Sequence, residues 1–136
     1  MKSYTDIEQS KKLAEILPIE SADMWWAERY EGHTTMDYQY VVEETPYYYL
    51  SLKKPSIDNY SQDAINDIPC WSLAALLDIM PDRIDDSHFL TLDKEGKEYC
   101  CCYEDINGNS FKHEFANNAI DACVEMILKL HELKML

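Results

Sequence analysis

The sequence predicts an α+β fold in the chain order α-β-β-β-α-β-β-β-α. Three observations predict it. Apolar residues at helical spacing, closed by a proline, occur twice, each time ahead of runs with a period of two. Those runs are joined by turn residues rather than crossover helices, and a third amphipathic stretch ends the chain. With 136 residues, 46% apolar and 28% charged, the chain is sized for a single α+β domain over residues 1–136.

Thr5-Asp6-Ile7-Glu8 has the form of a capping box, and Leu13, Ala14, Ile16 and Leu17 supply an apolar stripe that Pro18 ends, so helix one is expected over residues 5–17. Met24, Trp26 and Tyr30, then Met36, Tyr38, Tyr40 and Val42, alternate with polar residues as strands do, with Glu31-Gly32 as the turn between them. A third aromatic strand is expected over 47–52, after Thr45-Pro46. Residues 53–67 have turn chemistry without a period and read as a surface loop. Ile68-Pro69-Cys70-Trp71-Ser72 is expected to open helix two, with Pro69 in its first turn and Leu73, Leu76, Leu77 and Met80 on its apolar face. Strands are expected over 87–92, 97–104 and 110–115, joined through Asp93-Lys94-Glu95-Gly96 and through Asn107-Gly108. Asn117 and Asn118 can cap a final helix carrying Ile120, Val124, Ile127 and Leu128, expected to run to the terminus and cover the core. The string Leu13-Ala14-Glu15-Ile16-Leu17-Pro18 loosely matches Leu73-Ala74-Ala75-Leu76-Leu77 with Pro81, which suggests a weak internal duplication.

Charge narrows the function classes. Twelve basic residues against 26 acidic ones give a net charge of −14, a field that repels phosphate, so no direct nucleic-acid binding is expected. No stretch is long and apolar enough for a bilayer, so no membrane partner is expected, and no apolar run follows Lys2 as a signal peptide would require. Five cysteines, an odd number, three of them consecutive, suit reduced thiols in a cytoplasmic setting. The three glycines, Gly32, Gly96 and Gly108, all fall at expected turns, so a phosphate-cradling glycine loop is absent, and so is a Gly-x-Ser-x-Gly elbow.

Two constellations carry the functional expectations. Adjacent strand residues point to opposite faces, so Cys100, Cys101 and Cys102 cannot all reach one tetrahedral ion, and neither a metal nor a cofactor is expected. Two-residue turns at Lys94-Glu95 and Asn107-Gly108 would set His88, Cys101 and Glu114 in one cross-strand row, a nucleophile, base and orienter on paper, with Cys102 opposite His113. Buried cysteine more often packs as a small hydrophobe, and a reactive thiol needs local positive charge that this chain scarcely supplies, so the enzyme is the alternative reading. The second constellation is aromatic: Trp25, Trp26, Tyr30, Tyr38, Tyr40, Tyr47, Tyr48 and Tyr49 fall in the first three strands, where alternation turns some of them away from the core. Exposed rings of this kind suit partner binding, while plain β-propensity explains them equally well. A small-ligand pocket lined by the same rings is a third reading.

Tyr4-Thr5 with Glu8-Gln9-Ser10-Lys11-Lys12-Leu13-Ala14, Ala22-Asp23-Met24, Ile68-Pro69-Cys70-Trp71-Ser72-Leu73 with Leu76-Leu77, and Asp121-Ala122 with Glu125-Met126 form blocks over about a third of the chain. In these blocks the chain resembles a family of small uncharacterised proteins of phages and mobile elements in gut bacteria. The resemblance implies a host-cell cytoplasmic setting and carries no activity, cofactor or site residue with it. The sequence therefore leads to an acidic, non-catalytic accessory protein that binds a protein partner, a second copy of itself included, through an aromatic sheet surface. An acidic face of this kind could also engage a protein that ordinarily binds DNA, as a mimic of nucleic acid.

Overall fold

The computed structural model describes residues 2–29, 32–34, 40–42, 47–52 and 67–136. Helices and antiparallel strands follow the expected α+β order, with three α-helices and two three-stranded antiparallel sheets among the described residues. The expected loop over 53–67 lies outside them except for Asp67.

Helix α1 (Ile7–Ala14) is capped one residue later than the sequence suggests. Asp6 accepts from the Gln9 amide at 2.8 Å, and the Gln9 side chain accepts from the Asp6 amide at 3.1 Å, so the capping box is Asp6-x-x-Gln9. Thr5 is unavailable as a cap because its hydroxyl is spent in the interior: it lies 2.8 Å from the Ser10 hydroxyl and accepts from the Trp71 amide at 3.1 Å. The Thr5 amide donates to the Trp71 carbonyl at 2.9 Å, and the Leu73 amide to the Ser3 carbonyl at 3.3 Å, which straps the N-terminal residues to the entry of helix two.

The first sheet centres on β1 (Met24–Arg29). After the short hairpin of β2 (Gly32–Thr34) and β3 (Tyr40–Val42), β1 pairs with β4 (Tyr47–Ser51) on one side and β5 (Ile68–Cys70) on the other. Gly32, expected in a turn, pairs with Val42. Strand β5 corrects the expected start of helix two. Proline holds the residue before it extended and has no N–H to give, so Ile68-Pro69 suits an edge strand as well as a helix start. Pairing with β1 settles the competition, and Ser72, whose hydroxyl accepts from the Ala75 amide at 3.2 Å, then starts α2 at Leu73 (Leu73–Ile79).

The second sheet is the meander β6 (Phe89–Glu95), β7 (Glu98–Glu104) and β8 (Ser110–Ala116). Its first turn is Gly96-Lys97 rather than Lys94-Glu95. Gly96 takes φ +60° at the first central position, as a type II′ hairpin requires. At the second turn the Asp105 amide donates to the Asn109 carbonyl at 3.0 Å, closing a three-residue loop in which Gly108 has φ +81°. A one-residue bulge opposite Tyr103 and Glu104 then offsets the longer loop, so Cys101 still meets Glu114 and Cys102 meets His113, as a two-residue turn would have placed them.

Helix α3 (Ala119–Glu132) packs on β7, β8 and α2. Ile120, Cys123, Val124, Ile127 and Leu130 recur on one face and are all buried, each large aliphatic side chain contributing ~1.5–3 kcal/mol of transfer free energy. They share the core with Leu13, Leu76, Trp71 and Tyr103. Both of these aromatics satisfy their polar tips, Trp71 Nε1 donating to Ser21 Oγ at 3.0 Å and Tyr103 OH to the Pro81 carbonyl at 2.8 Å.

Helix α3 stops short of the terminus it was expected to reach. The Met135 amide donates to the Leu130 carbonyl at 2.8 Å and the Lys134 amide to the His131 carbonyl at 3.0 Å, the two bonds of a Schellman motif. Lys134 holds the left-handed position of that motif at φ 59°, where glycine is the usual occupant. Lys134→Gly is therefore expected to stabilise the fold by about 1 kcal/mol, read as a higher urea midpoint at unchanged slope; an unmoved midpoint would argue that the left-handed lysine costs nothing.

Candidate functional site

The row His88–Cys101–Glu114 does not form. With the turn at Gly96, the residue opposite Cys101 on β6 is Leu92, while Glu114 stands opposite it on β8. His88 precedes β6, and its Nδ1 lies 2.8 Å from Asp85 Oδ2. Cys101 points inward, fully buried, with Sγ 4.0 Å from Met80 Sδ. The neighbouring Cys123 thiol and burial hold Cys101 far above the ordinary thiol range, the reverse of what a nucleophile needs.

Among the described N-terminal aromatics, the two tryptophans are committed to the fold. Trp25 is buried, and Trp26 is half-buried, with Nε1 donating to the Thr5 carbonyl at 3.1 Å and its ring meeting Tyr4 edge-on at 5.7 Å. Tyr48 is half-buried and Tyr49 is 45% exposed. Tyr40 and Tyr47 lie on β3 and β4, and Tyr30 and Tyr38 lie outside the described residues. Trp25, Ala27 and Pro69 on one face of the sheet, and Cys70 on the other, are all buried, so neither face at β1 and β5 is an open aromatic surface. A cavity of about 270 Å³ is lined by Lys2, Leu73, Leu92, Tyr99 and Asn118, and Trp25, Trp26, Tyr48 and Tyr49 are not among its described lining.

The open surface is the outer face of the second sheet. Alternation sends Leu90, Leu92, Tyr99, Cys101, Tyr103 and Ala116 toward α3, and the opposite side carries three cross-strand rungs. These are Phe89–Glu104–Ser110, Thr91–Cys102–His113 and Asp93–Cys100–Phe115, with Glu95 and Glu98 at the turn end. Phe89 is 42% and Phe115 48% exposed, the Phe89 ring carrying the Arg83 guanidinium at 5.1 Å. Beside Phe115 runs a groove of about 350 Å³ whose lining includes Asp93, Glu95, Cys100, Cys102, Glu104 and His113.

At its floor, Cys102 Sγ donates to Glu104 Oε1 at 3.1 Å and lies 2.9 Å from Thr91 Oγ1, and the Thr91 hydroxyl reaches Glu104 Oε1 at 3.2 Å. Burial, reinforced by the Glu104 carboxylate, pushes the Cys102 thiol up to about 12. Cys100 is also pushed up, by burial first and then by the charges of Asp93, Glu95 and Glu104. Both thiols are therefore protonated at neutral pH, and the groove is suited to receiving positive charge rather than to nucleophilic attack. Strand alternation, the argument that separates Cys101 from its neighbours, also puts Cys100 and Cys102 on one face; that signal was present in the sequence and not followed.

Among the described residues no helix is long and apolar enough to cross a membrane. Comparison with family models, curated proteins and solved structures finds no match for this chain, so what can be said of its function comes from this face and its chemistry.

Proposed function

We propose that the chain is a non-catalytic, cytoplasmic accessory protein that docks a basic surface of a protein partner on the outer face of the β6–β7–β8 sheet. One observation carries the reading: two exposed phenylalanines, Phe89 and Phe115, share with the carboxylates of Asp93, Glu95, Glu98 and Glu104 a face against which none of the described elements packs. Apolar anchors within a charged rim are the usual composition of a binding surface, and the net charge of −14 steers cationic partners toward it. The buried, protonated thiols support the non-catalytic side of the reading. Relative to the sequence expectation, the docking surface moves from the first sheet to the second.

The test is affinity capture from host extract, comparing the wild type with a Phe89→Ser/Phe115→Ser variant and raising the salt. The expected result is a partner that the folded variant retains at a level reduced at least tenfold, and that elutes as salt screens the carboxylates. Identical captured proteins with both chains, or capture indifferent to salt, would refute the reading.

A further inference from the structure

We propose that the groove on this face binds one divalent cation of the zinc class, held by Asp93, Cys102 and Glu104, with Cys100 or His113 completing the shell. One donor atom from each of the first three lies within 4.8 Å of the others. A tetrahedral shell with bonds of ~2.0–2.3 Å spaces its donors roughly 3.3–3.8 Å apart. Closing around an ion thus needs only small rotations of Asp93, which is exposed, and Glu104, which is half-buried at the strand end.

The donors are mixed in a way that an ordinary solvated acidic patch is not. Cys102 is 2% exposed and Cys100 8%, both on the central strand of the sheet and both lining the groove, so two sulfurs are presented from a strand paired on both sides. His113 stands opposite Cys102 and offers an imidazole, its ring edge-on to Phe115 at 5.4 Å. Sulfur and imidazole beside carboxylates favour zinc-class ions over calcium or magnesium, which prefer oxygen alone. In the metal-free groove the Cys102 proton bridges to Glu104. On binding, that proton leaves to solvent, the S–H···O bond is lost, and Sγ and the freed carboxylate oxygen both bond the cation, with no change of oxidation state.

The experiment uses the purified, reduced full chain titrated with Co²⁺, zinc's spectroscopic surrogate, and needs no protein partner, so it fails or succeeds independently of the docking reading. A thiolate-to-cobalt charge-transfer band should saturate at one equivalent and be bleached by Zn²⁺. Cys102→Ser should abolish it where His113 is the fourth ligand and reduce it where Cys100 is, and Asp93→Asn/Glu104→Gln should weaken cobalt affinity by about 100-fold or more, since even outer-shell losses cost 10–100-fold. Glu125→Gln, exposed on α3 and remote from the groove, should leave it unchanged. If Cys102→Ser does not fold, the carboxylate double variant decides alone. Absence of the band, or a band that survives the carboxylate variant at full affinity, overturns the proposal.

Discussion

Trp71→Ala is expected to destabilise the protein by about 3–5 kcal/mol, the range for deleting a fully buried large aromatic. Three functions converge on this residue. Its ring is wholly buried in the cluster that joins α1, α2 and α3. Its Nε1 donates to Ser21 Oγ at 3.0 Å, tying the single turn that follows α1 to the core. Its backbone accepts from the Thr5 amide at 2.9 Å and donates to the Thr5 hydroxyl at 3.1 Å, closing the N-terminal strap. Alanine keeps the backbone bonds and removes the rest, and because the cavity is walled by three helices it collapses only partly. A domain of this size has ~5–15 kcal/mol of total stability, so the variant should unfold at a far lower urea concentration. Trp71→Phe, which keeps most of the ring and loses only the indole donor and some volume, should fall between. A Trp71→Ala midpoint within experimental error of the wild type would mean that the ring does not hold the three helices together.

The helices and the order of strands were readable because periodicity is local: Ile120, Val124 and Ile127 specify a buried helical face whatever lies against it. What sequence could not decide was competition between local and distant partners. Ile68-Pro69 is compatible with a helix start and with an edge strand, and only the backbone of β1, more than forty residues earlier, makes the second choice. The β7–β8 register was legible although the loop was not, because the bulge compensates for the longer turn. The β6–β7 register failed on one residue. Gly96 needed the first central position of the turn, and placing the turn two residues earlier moved His88 opposite Cys101 where Leu92 belongs.

The candidate site divides along the same line. Alternation along β7 was readable, and it separates Cys101 from Cys100 and Cys102; which face looks at α3 was not, since Cys-Cys-Cys has no amphipathic pattern of its own. For Trp25 and Trp26, aromatic content was compatible with both exposure and strand packing; Trp25 is buried, and Trp26 is half-buried and bonded to the Thr5 carbonyl. Phe115 and Phe89, which do reach solvent, sit in segments without a run of aromatics.

Thr5→Val should cost about 1–3 kcal/mol, the price of a buried donor left without a partner, although the two side chains are nearly the same size. Thr5 is fully buried, as is Ser10, so neither group can turn to water when the hydroxyl is removed. The valine methyl would face the Trp71 amide, which now donates to Thr5 Oγ1 at 3.1 Å, and the Ser10 hydroxyl, now 2.8 Å away. The backbone bond from the Thr5 amide to the Trp71 carbonyl survives, which keeps the strap in place and concentrates the loss on the Trp71 amide, since the Ser10 hydroxyl also meets the Cys70 thiol. Asp6→Ala supplies the contrast: it removes the helix cap at an exposed site, where water can replace the lost bonds, and should cost only about 1 kcal/mol. The two substitutions thus separate the roles of neighbouring residues that a capping-box pattern alone assigns the other way round. Urea unfolding of both variants reads the difference, and a Thr5→Val loss smaller than that of Asp6→Ala would return the cap to Thr5 and dissolve the buried hydroxyl network as a source of stability.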